Sequence, residues 1–258
     1  LGALQNVPVH CLNIKVCYDA GDLALIREMG MFYFRINKVR IASNREGVPF
    51  WARPFEKDEA EVELWSFVTA DNMELPDMSD FLATTDDRKR KEIIGEITGR
   101  VLSSRKIAPI ENVKDNQSLT FGDTGYVLYQ TETIPESFNW NFLAIELDQA
   151  ERDDAERLKM MVNEPEFDKF THTLANTLIQ VPSPGLQAAV AVGKFITGSI
   201  MRDLQNNKND LMGVLFMSLN RREHYRHGER KKDNVPDLTS NMWVDYSMFG
   251  VDPTRPQP

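Results

Sequence analysis

A block of helical spacing, residues 153–205, lies between two stretches whose apolar residues alternate like strands, and this order restricts the fold more than any other feature of the chain. Within the block, Asp153 to Met161 and Glu166 to Ile179 carry helical periodicity, with Phe167, Phe170, Leu174 and Leu178 on one stripe and Pro165 suited to a first turn. Pro182-Ser183-Pro184-Gly185 reads as a stop and a turn, after which Leu186 to Leu204 can form a further helix. Before the block, strand alternation runs through Cys11 to Tyr18, through Phe32, Phe34 and Ile36, through Glu61 to Val68, through Tyr126 to Tyr129 and through Trp140 to Asp148. After it, strands return at Leu211 to Leu219 and at Asn241 to Val251. Asp22 to Met29 suits one helical turn or two, and Ile93, Ile94, Ile97 and Val101 suit either a strand or a short helix.

Alternating βαβ units would scatter helices among the early strands, and few clear helices occur there. The expectation is therefore a mainly β fold of the α+β class, an antiparallel β-sandwich interrupted by a helical hairpin. The whole chain, 1–258, reads as a single β-sandwich domain with 153–205 inserted in it. Asn139 to Asp148 and Leu211 to Leu219 should then be antiparallel neighbours in one sheet, and the helices should pack on each other or on one sandwich edge.

Composition narrows the function classes. Thirty basic against 39 acidic side chains in 258 residues leave a net charge of -9, which repels phosphate backbones and disfavours nucleic acid as the main partner. Cys11 and Cys17 are too few for a disulfide framework and read as buried free thiols. The most apolar run, Leu186 to Met201, falls short of the ~20 residues that cross a bilayer and reads as a buried helix. The beginning of the chain carries no basic, apolar signal pattern, so localisation stays open. Pro253, Pro256 and Pro258 mark a loose tail.

Two separated stretches carry a family resemblance. Pro135-Glu136-Ser137-Phe138-Asn139-Trp140-Asn141-Phe142-Leu143-Ala144-Ile145-Glu146-Leu147-Asp148 and Asn207-Lys208-Asn209-Asp210-Leu211-Met212-Gly213-Val214-Leu215-Phe216-Met217-Ser218-Leu219 resemble parts of a C2 domain, a β-sandwich module that docks on membranes or proteins, often through calcium. In that family a short calcium-binding loop joins these two strands, and here the helical block would occupy it. The resemblance places Asp148 and Asp210 at the two ends of the loop as metal ligands. Ala150 stands where the family usually supplies a second aspartate, and the partner loop offers Ser43, Asn44 and Glu46. Glu151, Asp153 and Asp154 could supply the missing oxygens, although acidic residues at a helix start also stabilise that end through the macrodipole. The expectation is no cofactor, or weakly bound calcium.

The densest basic stretch contains Arg221, Arg222, Arg226, Arg230, Lys231 and Lys232 around Tyr225, enough to attract an acidic partner or an anionic lipid face. The competing reading is a solvated connection between the last two strands, partly neutralised by Glu223, Glu229 and Asp233. His224 and His227 lack the His-Glu-x-x-His arrangement of a catalytic zinc helix, and no Gly-x-Ser-x-Gly elbow is present. Gly193 and Gly198 lack the strand-then-loop context of a phosphate site and suit close helix approach instead. Together these features point to a non-enzymatic binding module that docks on a protein or membrane surface through loops and a helical insertion. The alternative is a structural subunit of a multimeric assembly.

Overall fold

The structure is a computed structural model and describes residues 30–44, 60–102, 106–146, 161–179, 181–206, 211–221 and 228–252. Both cysteines, the segment 22–29, all but the last residue of the helix expected over 153–161, and the terminal prolines lie outside the described residues.

Strand β1 (Met31–Ile41) shows how local pattern becomes structure. Phe32, Phe34 and Ile36 are buried at period two, then Val39 and Ile41, so the apolar rhythm slips by one residue at Asn37. A register shift against the partner strand between Ile36 and Lys38 absorbs that slip and keeps every large apolar side chain on one face. β1 pairs antiparallel along its length with β9 (Met242–Val251), and β9 pairs in turn with β8 (Gly228–Pro236). On its other side β1 meets β4 (Ser118–Thr120) and β5 (Tyr126–Thr131). These five strands form sheet A.

Sheet B has the order β3 (Lys106–Val113), β2 (Ala60–Ala70), β6 (Ser137–Glu146), β7 (Leu211–Asn220), all antiparallel. In β2 every residue except Glu61 is buried. A strand covered on both faces buries both halves of its alternation, and its buried polar side chains then need partners, as Glu63 finds in the Trp65 indole and Ser66 in that of Trp140. Towards sheet A it contributes Val62, Leu64 and Val68, which pack with Phe34, Ile36, Ile41, Trp140 and Phe142. Phe34 lies 4.8 Å from both the Phe138 and Trp140 rings, and the buried Trp140 indole donates to Ser66 Oγ at 2.9 Å.

On its other face sheet B carries a helical layer: α1 (Ser79–Ala83), α2 (Asp87–Leu102), α3 (Pro165–Leu178) and α4 (Pro184–Asn206). Trp65, Phe67, Leu143 and Ile145 meet Ile94, Ile97 and Val101 of α2, Phe167, Leu174 and Leu178 of α3, and Val192 and Ile196 of α4. Phe170 stacks on Phe195 at 4.6 Å, which gives the Phe167–Leu178 stripe the apolar partner it needs. Gly193 lets α4 close on the sheet, since a Cβ there would stand 3.0 Å from Asn141 Nδ2. The architecture is three-layered: sheet A, sheet B, helices.

β6 and β7 are neighbours in sheet B although α3 and α4 lie between them in sequence, with Ile145 opposite Leu211 and Ser137 opposite Asn220. The helices pack on each other through Phe167, Phe170 and Phe195, one of the two expected arrangements, and together they cover the face of sheet B and not an edge. The ambiguous run at Ile93–Val101 is helical, because Ile94, Ile97 and Val101 sink one stripe into that same face. The connection expected over the basic stretch is in its second half an edge strand, β8. β3 also escaped the reading, as its pairing with β2 is broken by two register shifts.

Candidate functional site

β6 ends at Glu146 and β7 begins at Leu211 on the end of the sandwich where β1 ends and β9 starts. The expected metal ligands Asp148, Asp153, Asp154 and Asp210 all lie outside the described residues. Of the partner-loop residues, Ser43 and Asn44 are described, and Glu46 lies outside the described residues. Asn44 is buried, donates its N–H to Asp115 Oδ1 at 2.7 Å and donates its amide to the Val113 carbonyl at 3.2 Å. Ser43 N–H donates to Asn241 Oδ1 at 2.9 Å, and Asn241 Nδ2 donates to the carbonyls of Ser43 and Met212 at 2.9 and 2.8 Å. These side chains tie the two sheets together.

At the centre of the tie stands Asp237, 5% exposed. Its Oδ1 accepts the N–H groups of Asn241 and Met242 at 3.0 and 2.9 Å. Its Oδ2 accepts the N–H groups of Val214 and Thr239, each at 2.9 Å, and the Thr239 hydroxyl at 2.6 Å. Burial pushes this carboxyl up, but the hydrogen bonds from Thr239, Met242 and Val214 outweigh burial and hold it below the ordinary aspartate range. A carboxylate already accepting five donors is committed to the fold. Among the described residues, no group of three or more His, Cys, Asp or Glu side chains is placed to hold a metal ion.

The basic stretch divides into parts with different roles. Arg222 and Arg226 lie outside the described residues. Arg221 follows β7, where its side chain, 13% exposed, pairs through the guanidinium with Glu136 Oε1 at 2.8 Å and with Asp252 Oδ2. It clamps the end of β7 to the Ile134–Glu136 turn and to the end of β9, so its charge is spent inside the molecule. Arg230, Lys231 and Lys232 lie on the edge strand β8 and alternate between its faces. Lys231, opposite Ser247, points outward beside Glu229 at 3.6 Å. Arg230 and Lys232 stand opposite Met248 and Tyr246, whose side chains face the core. Burial raises the Tyr246 phenol, and Arg230 opposes that rise. Lysines on an edge strand also discourage sheet-to-sheet aggregation, a sufficient reason for their presence.

The outward face of sheet A is carried by the other half of the strand alternation, opposite to the core residues. Four register pairs cross it between β1 and β9: Tyr33 with Phe249, Arg35 with Ser247, Lys38 with Asp245, and Arg40 with Trp243. The Arg40 guanidinium lies 3.9 Å from the Trp243 ring centroid, and that of Arg35 lies 5.2 Å from the Tyr33 ring. The Tyr33 and Phe249 rings are 6.5 Å apart, and Lys38 Nζ pairs with Asp245 Oδ2 at 2.7 Å. Tyr33, Arg35, Arg40, Trp243 and Phe249 are all partly exposed, while Asp245 and Ser247 between them are buried; among the described residues the helices pack on sheet B and not on this face. The sequence signal was present in the odd positions of Tyr33-Phe34-Arg35 and in Trp243 and Phe249, which alternate with the core residues.

A groove of about 360 Å³ at α2 and α3 is lined by Asp87, Arg88, Lys91, Asp168, Thr171 and His172. Lys91 and Asp168 neutralise each other across it at 2.7 Å.

The fold is thus an antiparallel β-sandwich with one helical layer. No family model matches the chain, and no curated protein matches it. Among solved structures it is similar to Drosophila C2-DSL-EGF1, at 7% identity and a TM-score of 0.33, over 86% of this chain and 67% of that one. That likeness is coarse.

Proposed function

We propose that this chain is a non-enzymatic binding module that docks on a protein surface through the outward face of sheet A. The observation that carries the reading is the open Arg–aromatic ladder on that face, Arg40 on Trp243 and Arg35 on Tyr33 beside Phe249, opposite to the side where the helices already cover sheet B. Tryptophan, tyrosine and arginine are the side chains that concentrate binding energy at protein interfaces, since each brings a large rigid area with a polar tip. Their mutual stacking pre-orders them, which lowers the entropy cost of docking. No cofactor takes part in this mode of action. A membrane surface is the weaker partner, because electrostatic docking on anionic lipid draws on clusters of about four to eight bases, and here Lys38 and Lys231 are paired with carboxylates.

Selection of peptides from a random library on the wild-type protein, with counter-selection on a Tyr33→Ser, Phe249→Ser double variant, tests the proposal. Ligands that bind the wild type and are lost on the variant are expected. A selection that enriches only ligands bound equally by both proteins would reject the sheet A face as the docking surface. The rival reading, a structural subunit, has the same open face covered by another copy. Light scattering separates the two, since a module is monomeric alone and a subunit assembles with rising concentration.

A further inference from the structure

We infer that the outward face of sheet A takes an extended acidic polypeptide of another protein, whose carboxylates pair with Arg35 and Arg40. The inference rests on the docking reading above and adds the chemistry of the partner.

Arg35 and Arg40 are unlike the lysines beside them. Lys38 is matched by Asp245 and Lys231 by Glu229. The Arg35 and Arg40 guanidinium groups lie over aromatic rings, and neither forms a hydrogen bond or ion pair with a described residue. The Arg35 Nε is buried without a hydrogen-bond partner, so a docking carboxylate would meet the terminal Nη groups of this side chain. A stacked guanidinium keeps its edge donors free, and a carboxylate is the group that accepts them in pairs. The two uncompensated arginines stand out in a chain whose net charge is -9, so the face is complementary to an acidic partner while the rest of the molecule repels one.

Their spacing makes the partner more specific. Arg35 stands opposite Ser247 and Arg40 opposite Trp243, four residues apart along β9, which is about 13 Å at roughly 3.3 Å per residue. An extended peptide lying along β1 presents same-side residues at every second position, so acidic residues at i and i+4 meet the two arginines. The intervening i+2 position then lies over the neutral Lys38–Asp245 pair, where a small uncharged residue fits. Beyond Arg35, Tyr33 and Phe249 offer a partly exposed ring pair to an apolar residue at i−2.

The probe is a fluorescently labelled Ser/Gly peptide with leucine at i−2 and glutamate at i and i+4, compared by anisotropy at low salt with the same peptide carrying glutamine. Wild-type protein should bind the glutamate peptide at least about tenfold more tightly, and Arg35→Gln or Arg40→Gln should each remove most of that preference. Lys231→Gln, on the same side but already paired, should change affinity less than about twofold. Vesicles containing phosphatidylserine form the competing arm. Equal affinity for the glutamate and glutamine peptides overturns the inference using wild-type protein alone, whatever the variants do. So does vesicle binding without peptide binding, or a loss on Lys231→Gln as large as on the arginine variants. Library ligands that need Tyr33 and Phe249 but are indifferent to glutamate would leave the docking reading standing and remove only the acidic partner.

Discussion

Replacing Asp237 by asparagine should be the most damaging isosteric change at the sandwich end that holds the two sheets together. The carboxylate accepts from Val214 in sheet B and from Met242 in sheet A, so it spans the interlayer gap with charge-assisted hydrogen bonds. Asparagine keeps the volume but offers one acceptor oxygen. If its NH2 replaces Oδ2, the N–H groups of Val214 and Thr239 face another donor; if it replaces Oδ1, those of Asn241 and Met242 do. Thr239 is exposed and its N–H can turn to water, so the first orientation costs only the buried Val214 donor. The second strands two buried donors, so the side chain adopts the first, at about 1–3 kcal/mol. Against a typical domain stability of about 5–15 kcal/mol this is a substantial loss, equivalent to a fall in Tm of roughly 2–12 °C for a chain of this size. Urea denaturation followed by tryptophan fluorescence measures it.

The effect should also depend on pH with a definite sign. The folded-state carboxyl is held below the ordinary aspartate value, about 3.9 in an unfolded chain. The unfolded state therefore binds the proton more readily, and the stabilisation is fully present above that value and is lost as pH falls through the folded-state pKa. The gap between wild type and Asp237→Asn should narrow as the solution is acidified from neutrality towards that window. A variant within about 0.5 kcal/mol of wild type at neutral pH, or a gap that widens on acidification, would refute the reasoning.

Gly213→Ala should cost about 1–3 kcal/mol, because the new Cβ would lie 2.6 Å from the Met242 Cβ where β7 passes β9; wild-type stability in urea would show that the sheets can separate there freely. Arg221→Ala should cost about 2–3 kcal/mol, since it removes a largely buried guanidinium that bridges Glu136 and Asp252, whereas Lys231→Ala, on a side chain 61% exposed, should stay within about 0.5 kcal/mol. Equal losses in thermal melts would mean that the basic stretch acts as one unit. Millimolar calcium should raise Tm by less than about one degree; a calorimetric titration with micromolar affinity, abolished by Asp148→Asn and Asp210→Asn, would reverse that expectation.

Alternation along Trp140–Asp148 and Leu211–Leu219 was sufficient to recognise both strands and to place them side by side across the helical block, because a sheet's two-residue period is written locally in which side chains are apolar. The Phe167–Leu178 stripe was legible for the same reason at helical period. Less was legible where an element owes its state to a neighbour. β8 reads as a polar connection from its own residues, Gly228-Glu229-Arg230-Lys231-Lys232, and becomes a strand because β9 offers it an open edge of backbone groups. Ile93–Val101 could have been either element until the outer face of sheet B required one buried stripe. The separate fates of Arg221 and Lys231 were equally hidden, since one meets Glu136 and Asp252 from distant parts of the chain and the other meets Glu229 beside it. Periodicity records which side of an element avoids water. Which surface covers that side, and which polar face is consequently left open beyond Tyr33, Arg35 and Arg40, depends on contacts between residues far apart in the chain, and no local pattern encodes those.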